Sequence, residues 1–133
     1  MLSMLKVVLD TNVVVSGLMS PNGNPAQILN LVTDEKLKIC YSSEIMLEYI
    51  DVLSRPQFKF DSEDRSSFLQ GVKQFGLLSS PLTSIIPLPD EDDRYFYDVA
   101  KSCDAILITG NIKHYPLEPF IVTPTEFMGL VGM

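Results

Sequence analysis

The sequence predicts an α/β fold, a three-layer α/β/α sandwich with a mostly parallel central sheet. Short apolar runs rich in β-branched residues, such as residues 5–10 and 106–109, are typical of strands that are covered on both faces. Between these runs lie segments with apolar residues at three- and four-residue spacing, as expected of amphipathic helices. Strands that alternate with helices in this way favour a parallel sheet between two helical layers.

The first third of the chain predicts two strands and one helix. Residues 5–10 form the first strand, which is broken at residues 10–12, and Pro21 to Pro25 mark a loop. Because proline suits the first turn of a helix, Pro25 is expected to begin one that continues to Thr33. Residues 37–41 then form an apolar second strand.

The middle of the chain predicts two helices and two short strands. Ser42 or Ser43 caps a helix that runs to Ser54, where the following Arg-Pro pair stops it. Asp61 opens another amphipathic helix, and Gly76 ends it. The short strand candidates are residues 77–79 and 84–86.

The last third returns to the alternating pattern. The acids at residues 90–93 open a helix, residues 106–109 form a third clear strand, and Gly110 breaks it. Residues 120–123 are the last predicted strand, and Pro124 begins a terminal helix.

Size and composition predict one domain spanning residues 1–133. Hydrophobic residues make up 46% and charged residues 20% of the chain, as in soluble globular proteins. No apolar run approaches the roughly 20 residues that a membrane span needs, and the N-terminus lacks the pattern of a secretory signal. We therefore expect a cytoplasmic protein without a membrane partner.

The net charge of −7, from 17 acids and 10 bases, argues against a basic protein that coats nucleic acid. It does not exclude a nuclease, because a cleaving site made of carboxylates holds divalent cations and those cations meet the phosphate. The acidity predicts weak nonspecific binding to nucleic acid and would suit a basic protein partner.

Two acids stand at positions where a site is expected or possible. Asp10 directly follows the first strand, at the sheet edge where α/β proteins bind ligands. Its carboxylate is either a metal ligand or, together with Asn12, a turn or helix cap. Glu48 lies in mid-helix among apolar residues, with a second acid, Asp51, one turn away. Glu48 either points toward the covered side or is an ordinary solvated acid.

The other candidates lie in the second half of the chain. Four successive acids at residues 90–93 exceed what complementing a helix dipole needs. Thr109 and Asn111 bring a hydroxyl and an amide to the end of the third clear strand. Lys113 and His114 follow, and they are either a contact for a substrate phosphate or surface residues.

Several motifs of other enzyme classes are missing. The sequence contains no GxGxxG, no GK[ST] and no GxSxG, which argues against nucleotide cofactors bound by those devices and against a serine hydrolase. A phosphatase of the haloacid-dehalogenase type would carry a second Asp where this chain has Asn12.

Five segments, in this order and spacing, resemble the PIN-domain family over about residues 5–131. Within this family they resemble most the branch of VapC-like ribonucleases, which are the toxins of type II toxin–antitoxin pairs. The five segments are VVLDTNV (7–13), LEYIDVLSRP (47–56), DEDDRYF (90–96), DAILITGN (104–111) and VTPTEF (122–127).

The resemblance implies that Asp10, Glu48 and Asp93 are catalytic acids that hold Mg²⁺ or Mn²⁺. Asp93 is preferred to its neighbours because it stands seven residues before an alanine, Ala100, as the third acid of the family does. Asp90 matches a further acid of this branch, and a fourth acid of the family is replaced by Asn111. Asn12, Thr109 and Asn111 are the implied supporting groups.

The implied function is hydrolysis of RNA to products with 5′-phosphate and 3′-hydroxyl ends. The implied partners are RNA, an antitoxin protein and a second copy of the chain in a homodimer. Two other functions stay open on the sequence: a non-catalytic PIN-like module that binds protein, which Asn111 favours, and a small metal-dependent phosphatase.

Overall fold

The computed structural model describes residues 4–132, and its central sheet is parallel throughout. In chain order its strands are β1 (Leu5–Leu9), β2 (Leu37–Tyr41), β3 (Leu77–Leu78), β4 (Ile106–Ile108) and β5 (Ile121–Val122). Within residues 4–132 the order across the sheet is β3-β2-β1-β4-β5. Val7 of β1 is in register with Ile39 of β2 on one side and with Ile106 of β4 on the other.

Helices connect the strands and confirm the predicted α/β class. They are α1 (Thr11–Met19), α2 (Asn24–Thr33), α3 (Ser43–Leu53), α4 (Ser62–Phe75), α5 (Arg94–Cys103) and α6 (Pro124–Val131). Single turns of 3₁₀ helix occur at Pro56–Phe58, Glu91–Asp93 and Ile112–His114. Within residues 4–132 no helix is both long and apolar enough to span a bilayer.

Side-chain caps begin several of these helices where the sequence predicts them. The hydroxyl of Ser42 accepts a hydrogen bond from the Ile45 amide at 3.2 Å, and Asp61 accepts one from the Glu63 amide at 2.8 Å. Thr123 and Glu126 form a reciprocal capping box at α6. Such caps satisfy amides that have no partner inside the helix.

The core lies on both sides of the sheet. Val7, Val8 and Leu9 of β1 are fully buried, as are Leu107 and Ile108 of β4, which explains why these strands are apolar throughout rather than alternating. The buried ring of Tyr49 packs edge-on against Phe68 with ring centroids 5.8 Å apart. Its hydroxyl donates to the Leu9 carbonyl at 2.5 Å and so holds α3 against β1.

The structure differs from the sequence predictions at two places. The segment after Asp10 is the helix α1, for which the sequence predicted no element and whose Val13-Val14-Val15 run has low intrinsic helix propensity. Burial of Val13 and Val14, together with close packing of Gly17 on Leu29 of α2, explains why tertiary contacts prevail there. Residues 84–86 form no strand, and Ile85 is 97% exposed, so nothing covers that segment as a sheet would require.

The site is positioned by a reversal in strand order. From β1 the chain builds outward to β2 and β3 on one side, and then returns to the other side of β1 to form β4 and β5. Asp10 directly follows β1 and Thr109 directly follows β4, so both lie at the carboxyl edge of the sheet where the order reverses. In open parallel sheets this crevice is the usual place for a ligand.

Candidate metal centre

Asp10 lies at the centre of the carboxyl edge of the sheet and is 5% exposed. Two hydroxyl groups donate to the same oxygen of its carboxylate: Thr109 Oγ1 lies 2.8 Å from Oδ2, and the Tyr115 hydroxyl lies 3.0 Å from it. The other oxygen, Oδ1, takes neither of these bonds. The side chain is therefore held in one orientation by residues that are far away in sequence.

The electrostatic setting of Asp10 is unfavourable for its charge. Burial raises the pKa of Asp10 above its usual value, and the bonds from Thr109 and Tyr115 offset part of that rise. The pKa of Tyr115 is itself raised, first by burial and then by the negative charge of Asp10. Tyr115 consequently stays a hydrogen-bond donor at any physiological pH.

Glu48 reaches this centre from α3. It is half-buried, and the hydroxyl of Thr11, the residue after Asp10, donates to its Oε2. Burial raises the pKa of Glu48, the Thr11 bond lowers it, and the nearby charge of Asp10 raises it again. Glu48 is therefore not an ordinary solvated helix acid, because it is half-buried and the negative charge of Asp10 raises its pKa.

Asp93 comes to the same region from the 3₁₀ turn before α5. Only 16% of its side chain is exposed, and burial together with the charge of Asp10 raises its pKa to about 6. Nδ1 of His114 lies 3.1 Å from Asp93 Oδ2 and 3.9 Å from Asp90 Oδ2. Asp90, Asp93 and His114 each offer a ligand atom within 4.8 Å of the others.

Of the other predicted residues, Asn12 and Asn111 make hydrogen bonds in the loop after β4, whereas Lys113 forms none with the acids in the described part of the chain. Asn12 supports the loop after β4, because its Oδ1 accepts a hydrogen bond from the Gly110 amide at 3.0 Å. Asn111 is exposed, and its backbone amide donates to Thr109 Oγ1 at 2.9 Å, which links it to Asp10 through Thr109. Lys113 is exposed as well, and within residues 4–132 no hydrogen bond or ion pair joins it to the acids.

Sequence reasoning missed two residues that contact the acids. Thr11 orients Glu48, and Tyr115 orients Asp10. Thr11 could have been noticed because it adjoins Asp10, but the sequence carries no signal that its hydroxyl faces a helix 37 residues away. Tyr115 follows a 3₁₀ turn that has no periodic pattern, so only the fold reveals its role.

A cleft of about 640 Å³ opens beside the acids, and Glu48 forms part of its wall. Tyr95, which is 51% exposed, and Asp92 also line it. Asp98 lines it from the core side; its Oδ2 accepts a bond from the Ser84 amide at 3.3 Å. Five of the side chains that line the cleft are acids and one, that of Arg94, is a base.

The acids offer oxygen ligands of the kind that a divalent cation takes, and among the described residues the ligand atoms of Asp90, Asp93 and His114 lie within 4.8 Å of one another. Asp10, Glu48 and Asp93 come from three segments, and the charge of Asp10 raises the pKa of each of the other two. Carboxylates that raise one another's pKa are destabilising together unless a cation balances them. Oxygen ligands of this kind suit Mg²⁺ and Mn²⁺.

Comparison with known proteins agrees with this arrangement. The chain matches the family described as "PIN domain" over residues 6–113. It is also similar to "Uncharacterized protein MJ1680" of Methanocaldococcus jannaschii, with 36% identity over 110 residues, which cover 80% of this chain and 71% of that protein. The family match takes in both the strand that precedes Asp10 and the turn that carries Asp93, and the chain belongs to the PIN domain family, whose members are generally metal-dependent nucleases.

Proposed function

We propose that the protein is a metal-dependent endoribonuclease that hydrolyses RNA phosphodiester bonds, with Asp10, Glu48 and Asp93 as ligands of a divalent cation. Two observations support the proposal: the negative charge of Asp10 raises the pKa of both Glu48 and Asp93, which come from other segments, and Asp10 lies where the strand order reverses. Membership of the PIN domain family supports it, because that family acts on nucleic acids through a metal.

The surrounding residues prepare the acids for this role. Thr109 and Tyr115 hold Oδ2 of Asp10 by hydrogen bonds and so fix the orientation of its carboxylate. Thr11 holds one oxygen of Glu48 in the same way. Carboxylates that are oriented before a ligand arrives lose less conformational freedom on binding it, and such supporting bonds commonly change metal affinity 10–100-fold.

When bound, a divalent cation supplies positive charge for a phosphate oxygen and makes a water acidic enough to attack the phosphorus. The chain supplies the position of the cation and the protonation state of its ligands. Because the pKa of Asp93 is about 6 without a cation, its carboxylate is mostly ionised at pH 7 and mostly protonated at pH 5. We expect cation binding and cleavage to weaken as the pH falls through this range.

The cleft beside Glu48 offers a place for the RNA strand. Tyr95 presents a half-exposed ring there, and a base stacked on such a ring gains about 1 to 3 kcal/mol without sequence preference. The net charge of −7 implies that phosphate is attracted through the bound cation and not by a basic surface. We therefore expect weak binding to RNA in the absence of the metal.

The proposal is tested by cleavage of single-stranded RNA with Mn²⁺ or Mg²⁺. The variants Asp10→Asn and Glu48→Gln remove the proposed ligands, and Asp51→Asn is the matched control, since it removes an exposed charge from the same helix. We expect losses of at least about 100-fold for the two site variants and little change for the control. An Asp10→Asn protein that remains folded and cuts at the rate of the unmodified chain would falsify the proposal.

A non-catalytic PIN-like module is the competing function, and Asn111 is the residue that favours it. Titration calorimetry with Mn²⁺ separates the two functions, because a decayed site shows no saturable binding. The third candidate function, that of a small phosphatase, is tested by incubating the protein with a panel of phosphate monoesters. We expect no release of phosphate.

The proposal extends to the biological role implied by the resemblance, that of a cytoplasmic toxin held in check by an antitoxin and active as a homodimer. The acidic charge supports a basic partner. Expression of the chain in a bacterial host should arrest growth, and the Asp10→Asn variant should not. Light scattering of the purified protein measures the oligomeric state, and a monomer would refute the homodimer.

A further inference from the structure

His114 lies next to two acids, Asp90 and Asp93. Its Nδ1 is 3.1 Å from Asp93 Oδ2 and 3.9 Å from Asp90 Oδ2. Asp90 precedes and Asp93 ends one 3₁₀ turn, and His114 ends another; α5 and β4 lie between the two turns. The fold brings His114 to this pair of acids, because 21 residues separate it from Asp93 in the sequence.

The two separations from Nδ1 of His114, 3.1 Å to Asp93 and 3.9 Å to Asp90, match those in a coordination sphere. Ligands about 2.1 Å from an octahedral cation lie about 3.0 Å apart when adjacent and about 4.2 Å apart when opposite. The atoms of Asp90, Asp93 and His114 all fall within 4.8 Å of one another, and the two measured separations lie in this range. The hydrogen bond between His114 and Asp93 alone would not require Asp90 to be within reach.

The three residues are also accessible from solvent. His114 keeps 46% of its side chain exposed and Asp90 keeps 43%, while Asp93 forms the more buried wall at 16%. A hydrated cation can reach such a site and retain several water ligands, as partly exposed cation sites in proteins commonly do.

We propose that Asp90, Asp93 and His114 bind a divalent transition-metal cation, with Nδ1 of His114 as one ligand. If Asp10, Glu48 and Asp93 hold a cation as proposed, Asp93 would be a residue that the two sites share. The sharing rests on the proposed nuclease function, whereas binding by the three side chains does not.

The nitrogen ligand determines which cation the site prefers. Mg²⁺ takes oxygen ligands almost exclusively, whereas imidazole is a good ligand for Zn²⁺ and other transition metals. The site is therefore expected to select Mn²⁺, Co²⁺ or Zn²⁺ over Mg²⁺, even when Asp10 and Glu48 accept Mg²⁺.

Pulsed electron paramagnetic resonance of bound Mn²⁺ tests the proposal, because it detects nitrogen atoms that coordinate the metal. His114 is the only histidine of the chain, so in protein prepared without a histidine tag a coupled imidazole nitrogen can come only from this residue. Two equivalents of Mn²⁺ are added to the full chain so that both sites fill. We expect a ¹⁴N coupling that changes to a ¹⁵N coupling when the protein is grown with labelled histidine.

Two variants connect the signal to the site. His114→Gln should abolish the nitrogen coupling and weaken the second Mn²⁺ binding step by about tenfold or more. Asp90→Asn should weaken the same step while the signal of the remaining bound fraction keeps its coupling. The nitrogen coupling in the unmodified chain is itself the test of coordination by His114. The proposal therefore stays testable even if a variant fails to fold.

The outcomes separate this inference from the nuclease proposal. Saturable Mn²⁺ binding at two equivalents without nitrogen coupling overturns the inference, even if the chain cuts RNA in an Asp10-dependent manner. Nitrogen coupling in a chain that cuts no RNA supports the inference and refutes the nuclease. The same Mn²⁺ affinity in His114→Gln as in the unmodified chain also counts against the inference.

Discussion

Replacing Asp93 by asparagine should make the metal-free protein more stable. Asp93 is mostly buried and lies within the field of Asp10, and both burial and that negative charge raise its pKa to about 6. The isosteric amide removes the charge. Its oxygen can still accept the hydrogen bond that Nδ1 of His114 makes with the carboxylate at 3.1 Å.

The magnitude follows from the difference between the folded and unfolded pKa of Asp93. The pKa is about 6 in the folded chain against a reference value of 3.8, and between these values the folded state binds more protons. The free energy of unfolding therefore falls as the pH rises from about 4 to 6. The full shift corresponds to about 3 kcal/mol, and screening at a partly solvated site reduces this to about 1 to 2 kcal/mol.

Urea denaturation in the presence of a chelator measures the effect. At pH 7 the Asp93→Asn protein should exceed the unmodified chain by about 1 to 2 kcal/mol in free energy of unfolding, and near pH 4 the difference should shrink toward zero. Saturating Mn²⁺ should reverse the order, because a ligand that binds only the folded state stabilises it, by about 2.7 kcal/mol at 100 times its Kd. The variant should lose most of that gain.

The matched control is Asp104→Asn. Asp104 is an exposed acid with φ of 53° at the end of α5, where asparagine adopts the same left-handed backbone readily. This variant should show neither the pH-dependent gain nor the reversal by Mn²⁺. If metal-free Asp93→Asn is no more stable than the unmodified chain at pH 7, the charges of the acids do not oppose one another and the argument for a cation between them fails.

Three further predictions concern packing and ligand charge. Tyr49→Phe removes the bond to the Leu9 carbonyl and should lower the free energy of unfolding by about 1 to 2 kcal/mol in urea denaturation; an unchanged value would mean that the hydroxyl does not hold α3. Gly17→Ala places a methyl group 2.5 Å from Cδ1 of Leu29, and a thermal melt should show a loss of about 1 to 3 kcal/mol; a neutral result would mean that α1 and α2 separate easily. Asn111→Asp adds a carboxylate beside the cluster and should tighten Mn²⁺ binding by about fivefold or more in calorimetry; weaker binding would place residue 111 outside the coordination sphere.

The sequence predicted the sheet and most of its helices because their signals are local. The apolar runs of β1, β2 and β4 can be recognised without knowing their neighbours, and so can the caps at Ser42 and Asp61. The helix α1 could not be predicted in this way, because three successive valines favour a strand when they are considered alone. Only its packing on α2 makes the helix the better conformation.

The candidate site could be predicted only in part for a related reason. Which acids stand after strands or in helices is readable from the chain, whereas the hydroxyl groups that orient them come from long-range contacts. Thr11 and Glu48 are 37 residues apart, and Tyr115 and Asp10 are 105 apart. Position in the sequence gives no information on such pairs until the strand order is known. The roles of Asp10, Glu48 and Asp93 as ligands stay predictions.

The hydrogen bonds from Thr109 and Tyr115 to Asp10 have a consequence for synthesis of the chain. They span 99 and 105 residues, and β1 gains its second neighbour only when β4 has been made. A ribosome must therefore complete most of the polypeptide before Asp10 acquires its final orientation, because such distant pairings are late events in folding. Under the proposed nuclease function, the growing chain would therefore not cut the messenger that encodes it until translation is nearly complete.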